Sequence, residues 1–453
     1  PGPRERPPAR LQKERERSAP PSPGPGPLAP GPLTPNQIRG FWAAWAGWAL
    51  DGMDSFIYAL VLVPALRDLL PRSGILADQA NIGYYGGVLF AIFLVGWGFA
   101  FLWGPVADRF GRVRTLVLTI LCYSLFTFLG SVAAGVWQLA LFRFLAGAGI
   151  GGEWTLGGVF VAEEWPEARR KQGAAWMHTG YYFGVFLAAI VNYVIGSRYG
   201  WRAVFAVGGT PALLVAFIRY GVSEPERWQQ RLRQLERKWT ARDAFRALFS
   251  PEYRRRTAVN AALLLVSMVG LWAGSVYVPS SVTYLATRDG FTAPEASRMA
   301  SYATMLLAFG TILGCLLLPF AADRFGRRAS LGFYFVLMFV FIAVGFGYVF
   351  YLREHALLWF LVCLFFLGIG GANFAVYTLW LPEQYRTECR GSAFAFATSF
   401  GRFVAAGITF LVGAGVARMH TIGTPVAFTS VAFLVGIALL PWGEETRGKE
   451  LPI

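Results

Sequence analysis

Five charged side chains lie inside long apolar runs of this 453-residue sequence: Asp51, Asp54, Arg143, Glu153 and Arg402. A charge in such a run costs free energy unless it faces a cavity or a partner of opposite sign. A carboxyl group there can carry a proton, because desolvation disfavours its charged form and a nearby guanidinium favours it. An arginine can bind an anion through two parallel hydrogen bonds. These residue types therefore predict proton exchange and anion binding.

The elements that must position these residues are apolar runs of roughly 20 to 27 residues, each long enough to cross a lipid bilayer as a helix. Hydrophobic residues make up 55% of the chain and charged residues 15%. Twelve runs lie near residues 41–66, 82–107, 115–136, 137–162, 172–195, 201–221, 257–285, 299–322, 329–351, 356–381, 391–417 and 422–442. The sequence therefore predicts an all-α membrane protein with twelve transmembrane helices.

The chain contains an internal repeat. Four pairs of similar segments recur at offsets of 215 to 219 residues, which predicts two six-helix bundles built from one duplicated unit. The clearest pair is a charged loop between two apolar runs, with Asp108, Arg109 and Arg112 in the first copy and Asp323, Arg324 and Arg327 in the second. We expect these loops to act as gate latches, whose aspartates form pairs in one conformation and release them in another.

The formal net charge of +15 raises the question of a nucleic-acid partner. Of 41 Lys and Arg residues, 30 fall on the side of the predicted bundle that carries both termini and eight fall on the opposite side. This asymmetry follows the positive-inside rule, so both termini and the loop at residues 222–256 are predicted to be cytoplasmic. The basic character then reflects topology in a cell membrane, and no nucleic-acid binding is needed to explain it.

Composition also divides the chain into segments. Residues 1–35 contain 12 prolines and few large apolar side chains, which predicts a disordered tail. The predicted segments are a tail at 1–36, a six-helix bundle at 37–221, a linker at 222–256, a second bundle at 257–442 and a short tail at 443–453. Basic residues at helical spacing in the linker predict an amphipathic helix on the inner membrane surface.

The repeat separates scaffold residues from candidate functional residues. Arg402 corresponds to Val185 in the first copy, and Glu153 corresponds to Ala372 in the second. Packing requirements act on both copies, so a charge in only one copy favours a functional role. We therefore interpret Arg402 as the site for a substrate anion, with a structural ion pair as the alternative. Asp51, Asp54 and Glu153 are the candidate proton carriers, although one of them could instead pair with Arg143.

No metal-ligand, nucleotide-binding or hydrolase motif is present, and the four cysteines lack paired spacing. We therefore expect no enzyme activity, no metal and no cofactor, with a proton gradient as the energy source. His178, on the fifth predicted helix, is interpreted as a hydrogen-bonded interior histidine, with a proton relay as the alternative.

The duplicated Asp-Arg-x-Gly-Arg loop resembles the signature of the major facilitator superfamily, and the resemblance covers residues 37–450. Residues 48–54 and 143–154 are similar to segments of the sialic acid:proton symporters, while Asp-Gly-x-Asp is shared with aromatic-acid:proton symporters. In the resembled fold the substrate lies between the two bundles, and helices 4 and 10 line the cavity. That placement implies that Arg143, Trp154, Asn373 and Tyr377 contribute to substrate binding.

The resemblance implies a monomeric proton symporter in the lipid bilayer that imports a small organic anion, such as sialic acid or another carboxylate, by alternating access. An aromatic-acid, sugar or neutral-metabolite symporter is the main alternative. A drug:proton antiporter is disfavoured because the fifth predicted helix lacks the Gly-Pro element typical of exporters. A membrane sensor without transport activity is disfavoured by the short segment after the last apolar run.

Overall fold

The computed structural model describes residues 33–103, 112–150, 154, 161, 165–211, 241–449 and 452. Every regular element within these residues is helical. In chain order the helices of the first part are α1 Pro35–Arg72, α2 Gln79–Gly98, α3 Arg112–Gly130, α4 Val136–Gly149, α5 Glu167–Val191 and α6 Trp201–Val207. Those of the second part are α7 Ala241–Leu248, α8 Arg254–Met268, α9 Val278–Arg288, α10 Ala293–Arg324, α11 Arg327–Gly347, α12 Ala356–Gly371, α13 Asn373–Trp380, α14 Thr387–Met419, α15 Gly423–Phe428 and α16 Val431–Leu439.

Eight helical segments within the described residues are long and apolar enough to cross a membrane. They are Gln37–Arg72, Gln79–Leu102, Arg169–Tyr199, Ala293–Arg324, Arg327–Tyr351, Ala356–Gln384, Cys389–Met419 and Gly423–Trp442. Helices α3 and α4 are shorter apolar helices, and α6 is followed by residues outside the described ranges. In chain order, these helices correspond to eleven of the twelve predicted runs, of which the sixth (201–221) is described only as far as residue 211.

The remaining run, predicted as one helix over residues 257–285, is broken in the structure. Helix α8 ends at Met268, and a π-helical turn at Val269–Gly274 and a 3-10 turn at Ser275–Tyr277 precede α9. Pro279 lies in the first turn of α9, where backbone N–H groups have no partner within the helix, so the N–H that proline lacks is not needed. Gly270 allows close approach here, because a Cβ atom at this position would lie 2.0 Å from Phe433 Cζ. Such breaks in spanning helices often mark positions that move.

The N-terminal half, α1 to α6, meets the C-terminal half, α8 to α16, most extensively along two pairs of helices, with smaller contacts between α5 and α13 and between α1 and α9. Helix α2 packs against α14, and α5 packs against α10. The first pair approaches closely: a Cβ atom at Gly87 would lie 2.9 Å from Gly413 Cα. In the second pair, Asn192 Nδ2 donates a hydrogen bond to Ser301 Oγ at 2.9 Å. These two pairs of helices therefore enclose the space between the halves.

The two ends of the bundle can be told apart by the chain termini. The described chain starts beside α1 at Leu33, and near its other end Arg390 Nη2 donates to the carbonyl of Pro452. We call this end the terminal face. Helix α7 lies there and packs Phe245 and Phe249 on Phe396 of α14, at 5.5 and 5.3 Å between ring centroids. The rest of the predicted linker lies outside the described residues.

Candidate functional site

A small cavity lies between the two halves. Its volume is about 20 Å³. It is lined by Trp48, Trp97, Trp154, His178, Tyr181, Tyr182, Met268, Leu271, Phe374 and Arg402. This volume holds about one water molecule, whereas cavities that hold drug-sized ligands have volumes of roughly 300 to 1,000 Å³. As described, the cavity is therefore too small for a ligand of more than a few atoms.

Arg402 supplies the charge of this cavity. It lies within α14, and its Cζ atom is 4.3 Å from the ring centroid of Trp97. The side chain is 5% exposed, and its Nε atom has no hydrogen-bond partner among the described residues. Of the lining residues that the structure describes, Arg402 alone carries a permanent charge. The predicted anion-binding residue is therefore placed at the interface of the two halves, with donor capacity left for a ligand.

Aromatic rings form most of the cavity wall. Trp48 stacks on Trp154 at 5.7 Å with 18° between the ring planes, and His178 stacks on Phe374 at 6.2 Å with 3°. Trp154 crosses the interface, since its Nε1 donates to Thr378 Oγ1 at 2.8 Å. Neither nitrogen of His178 has a hydrogen-bond partner in the described part of the chain. The cavity therefore offers flat apolar faces around one cation and leaves one imidazole unpaired.

Helices α1 and α5 bring these rings together because glycines allow their backbones to touch. A Cβ atom at Gly52 would lie 2.0 Å from the carbonyl oxygen of Tyr181, and one at Gly184 would lie 1.7 Å from that of Ala49. Side chains larger than hydrogen at these positions would separate the helices. The close contact places Trp48 of α1 against Tyr181 of α5, with ring centroids 4.8 Å apart.

The two aspartates of α1 have different surroundings, although both are fully buried. Asp54 accepts a hydrogen bond from Thr127, and its Oδ2 lies 3.8 Å from Arg143 Nη1. Arg143 packs between two rings, with its Cζ 4.2 Å from the Phe93 centroid and 5.3 Å from that of Tyr58. Asp51 instead interacts electrostatically with Arg402. The two aspartates therefore have different electrostatic partners, Arg143 for Asp54 and Arg402 for Asp51.

The other predicted cavity residues differ in position. Trp154 lines the cavity, and Asn373 lies next to the lining residue Phe374. The Nδ2 of Asn373 donates to the Gly370 carbonyl at 2.9 Å, while its Oδ1 has no partner among the described residues. Tyr377 lies away from the cavity wall and donates to the Leu263 carbonyl at 2.7 Å. Glu153 lies outside the described residues.

The second charged loop is fully described, whereas Asp108 and Arg109 of the first loop lie outside the described residues and Arg112 begins α3. Asp323 accepts a hydrogen bond from Lys171 of α5, which joins the two halves at the terminal face. The carbonyl of Arg324 accepts from Arg447 Nη1 at 3.2 Å. Arg327 binds Glu383 through two hydrogen bonds, Nε to Oε2 at 3.0 Å and Nη2 to Oε1 at 2.7 Å.

The last residues of the chain support this loop. Glu445 accepts hydrogen bonds from the backbone N–H groups of Arg327 and Arg328, at 3.0 and 3.1 Å, at the start of α11. Thr446 Oγ1 donates to Glu383 Oε2 at 2.5 Å. The tail therefore holds the loop within the C-terminal half. The roles of Glu383 and Glu445 were not predicted, although Glu383 belongs to a repeated Pro-Glu pair and Glu445 to an acidic segment after the last apolar run.

Aromatic residues of the cavity were also missed by the sequence analysis. Trp97 and Phe374 carry no signal that distinguishes them from the many other rings of this chain, of which 16% is Phe, Trp or Tyr. Tyr181 and Tyr182 follow Gly180 in a small-residue segment, which could have indicated a close helix contact. Among the described residues, no group of three or more His, Cys, Asp or Glu side chains could hold a metal ion.

Several curated proteins are similar to this chain over most of its length. A probable 4-methylmuconolactone transporter of Cupriavidus pinatubonensis is 30% identical, with 92% of each chain covered. The sialic acid transporter NanX of Escherichia coli is 26% identical over 68% of this chain and 71% of its own. The 4-hydroxybenzoate transporter PcaK of Pseudomonas aeruginosa is 27% identical over 82% of this chain and 84% of its own.

Among solved structures, the crystal structure of a D-xylose-proton symporter superposes with a TM-score of 0.68 at 20% identity. It covers 92% of this chain and 100% of that chain. This likeness confirms the predicted twelve-helix fold of two six-helix bundles. The relatives are transporters, so no enzyme activity is assigned, and transporters of this kind need no cofactor. A family profile described as the Major Facilitator Superfamily matches residues 44–408, and the chain therefore belongs to this superfamily of multi-pass membrane transporters.

Proposed function

We propose that this protein is a proton-coupled symporter that imports a small planar carboxylate, such as an aromatic acid, by alternating access. The observation that carries the proposal is the position of Arg402, the one permanent charge among the described lining residues, beside the ring of Trp97. A guanidinium binds a carboxylate through charge-assisted hydrogen bonds. The surrounding rings supply faces on which a flat substrate can stack. Together they fit a ligand with one anionic group and one planar apolar group.

The flat ring faces of the wall favour an aromatic acid over sialic acid. The polar atoms of Trp48, His178 and Tyr182 have no hydrogen-bond partner among the described residues and are available to a ring substituent such as a hydroxyl. A polyhydroxylated sugar acid needs several polar partners, because each buried hydroxyl without one costs free energy. Of the described lining residues, seven are aromatic when His178 is included, and Met268 and Leu271 are apolar. The 4-hydroxybenzoate transporter among the relatives supports the same choice, whereas the sialic acid transporter NanX supports sialic acid, the substrate predicted from the sequence. Sialic acid is therefore the comparison substrate in the experiment below.

Proton coupling is proposed to act through competition for Arg402. The carboxylate of Asp51 interacts electrostatically with this guanidinium, as a substrate carboxylate would. Protonation of Asp51 removes its negative charge and leaves the guanidinium available for the substrate. Asp54, beside Arg143, and Glu153 remain the other candidates for the proton carrier. The energy source in this proposal is the proton gradient.

The remaining assignments follow the predicted topology. We propose a monomer in the cell membrane with both termini in the cytoplasm, so that the terminal face is the inner face. Residues 37–221 and 257–442 form the two moving bundles, and residues 222–256 link them. The charged loops act as the inner gate: Asp323, Arg324 and Arg327 in the second copy, and Asp108, Arg109 and Arg112 in the first.

Transport by the purified protein in liposomes tests the proposal. Radiolabelled 4-hydroxybenzoate should accumulate inside vesicles with an alkaline interior faster than inside protein-free vesicles with the same gradient, and this difference should disappear when a protonophore removes the gradient. N-acetylneuraminate should accumulate less. Uptake of the sugar acid in preference to the aromatic acid would contradict the substrate class. Accumulation that is insensitive to the protonophore would contradict proton coupling.

Substitutions at two residues, Arg402 and Asp51, separate binding from coupling. Arg402→Ala should abolish uptake and exchange, and Arg402→Lys should recover them poorly, since an ammonium cannot replace the planar fork. Arg418→Ala is the matched control, because Arg418 lies on the same helix with its side chain exposed. Asp51→Asn should retain exchange at equal concentrations and lose accumulation. Proton-driven uptake by Arg402→Ala would exclude Arg402 as the anion site.

A further inference from the structure

A second cavity lies at the face opposite to the termini, the outer face in the proposed topology. Its volume is about 360 Å³, within the range of small-molecule sites. The walls come from both halves: Leu62 and Arg67 belong to α1, while Ser280, Thr287 and Arg288 belong to α9. We call this cavity the outer vestibule. Unlike the small central cavity, it has room for a whole substrate in the conformation described here.

The outer vestibule is positively charged. Arg67 and Arg288 both line it, and no Asp or Glu is among its described lining residues. Arg67 forms no ion pair with another described residue. Arg288 forms an ion pair with Asp289, with 3.6 Å between Nε and Oδ1. Arg67 therefore supplies the uncompensated positive charge of the described wall and Arg288 adds a second guanidinium, so the wall attracts anions.

A buried hydroxyl provides a second, independent observation. Ser280 lines the vestibule with 6% of its surface exposed, and its Oγ has no hydrogen-bond partner among the described residues. Its neighbours on α9 are satisfied within the helix: Thr283 donates to the Pro279 carbonyl, and Thr287 donates to the Thr283 carbonyl, each at 2.8 Å. A buried polar group without a partner is costly, which favours a ligand atom as the partner of Ser280.

The floor of the vestibule separates it from the central cavity. Tyr277 lies there, 1% exposed, and its hydroxyl donates to the Gly83 carbonyl at 3.4 Å. The same hydroxyl would be 2.8 Å from a Cβ atom at Gly87. Tyr277 belongs to the 3-10 turn in the break between α8 and α9. The same break therefore carries one lining residue of each cavity, Leu271 for the central cavity and Tyr277 for the vestibule.

We propose that the outer vestibule is an entry subsite for the carboxylate substrate, where Arg67 and Arg288 attract the anion and Ser280 donates a hydrogen bond to it before the route to the central site opens. This inference rests on the proposed function, because it assumes an anionic substrate. It assigns to the outer vestibule a binding step distinct from the step at Arg402.

Transport kinetics provide the first test. With benzoate as the probe at low ionic strength, Arg67→Gln and Arg288→Gln should each raise KM about threefold to tenfold at an unchanged kcat, since steering of charged ligands contributes at least this much. The difference should largely disappear at 0.5 M salt, where screening acts within a few ångströms. Arg353→Gln is the matched control, because Arg353 is exposed outside the described vestibule wall. Unchanged KM in both vestibule variants would overturn the inference.

Thiol chemistry provides a test that does not depend on transport. In a variant without the four native cysteines, Thr287→Cys should react faster with an anionic methanethiosulfonate than with a cationic one. This preference should fall when Arg67 and Arg288 are both replaced by Gln. Benzoate should protect the thiol, whereas neutral benzamide should not, and Ser280→Ala should weaken the protection. The entry subsite would be overturned if the preference of Thr287→Cys for the anionic reagent were equal with and without the two arginines. It would also be overturned if benzoate did not slow modification of the thiol.

The two failures can be distinguished. If benzoate protects Thr287→Cys but is not accumulated by the unaltered protein in liposomes, the entry subsite stands and the proposed substrate is wrong. If benzoate is accumulated with unchanged kinetics in Arg67→Gln and Arg288→Gln, the proposed function stands and the subsite is wrong.

Discussion

A single methyl group at Gly87 should separate the two halves at the outer vestibule. Gly87 of α2 lies against α14, and the Cβ of Gly87→Ala would meet Tyr277 Oη at 2.8 Å, Gly413 Cα at 2.9 Å and the Thr409 carbonyl oxygen at 3.1 Å. Two of these three atoms belong to backbone and cannot rotate away. The new methyl group can therefore be accommodated only if α2 and α14 move apart.

The size of the effect follows from the cost of overpacking. An extra methyl group in a close-packed interface costs about 1 to 3 kcal/mol. Since the clash exists only while the outer side is closed, this free energy shifts the population towards an outward-open conformation by about 5-fold to 150-fold. The shift should appear as faster modification of Ser280→Cys, because Ser280 is buried in the vestibule wall while the interface is closed.

The adjacent glycine provides the control. A Cβ atom at Gly86 would meet only the side chain of Leu62, at 3.0 Å or more, and both residues belong to the N-terminal half. Gly86→Ala should therefore change packing inside that half and leave the modification rate nearly unchanged. An equal increase in both variants, or no increase in Gly87→Ala, would refute the assignment of the α2–α14 contact as an outer closure.

Two further predictions concern ion pairs inside one half. Asp54→Asn should lower the free energy of unfolding by about 3 to 5 kcal/mol, because Arg143 stays buried without its carboxylate partner, and adding Arg143→Met should recover part of the loss. Thermal unfolding in detergent measures both effects. A much smaller loss of stability in Asp54→Asn would argue against the ion pair. Arg327→Gln should lower the unfolding temperature more than Arg328→Gln, since only Arg327 binds Glu383 through its side chain, and equal shifts would contradict that role.

The fold could be predicted largely because a bilayer imposes one dominant rule. Each spanning segment must satisfy its backbone hydrogen bonds internally, so a long apolar run predicts a helix. The rule does not determine whether each N–H bonds to the carbonyl three, four or five residues earlier, and therefore does not determine the type of helix. The run at residues 257–285 was therefore predicted as one helix, although it changes to π and 3-10 turns between α8 and α9. Gly270 and Pro279 permit the break, but glycine and proline also occur in continuous spans such as α1, which contains Pro64.

The candidate site was predictable only in its charges. Arg402 and the aspartates of α1 could be selected because a charge is costly in an apolar run wherever it lies. Aromatic rings give no such signal, since most of them pack against other helices or face lipid. The position of Trp97 beside Arg402 and the hydrogen bond of Tyr377 to Leu263 both depend on how α2 and α13 are rotated in the bundle. Helix rotation is a property of packing between segments distant in sequence.

The small volume of the central cavity also matters for the membrane as an electrical barrier. Protons cross proteins along files of hydrogen-bonded water, and a space for about one water molecule interrupts such a file. In a proton-driven carrier, a continuous file through the empty protein would dissipate the membrane potential without moving substrate. Trp48, Trp154 and Phe374 line this narrow space. Under the proposed function, the rings that stack on the substrate would therefore also insulate the membrane while the carrier is empty.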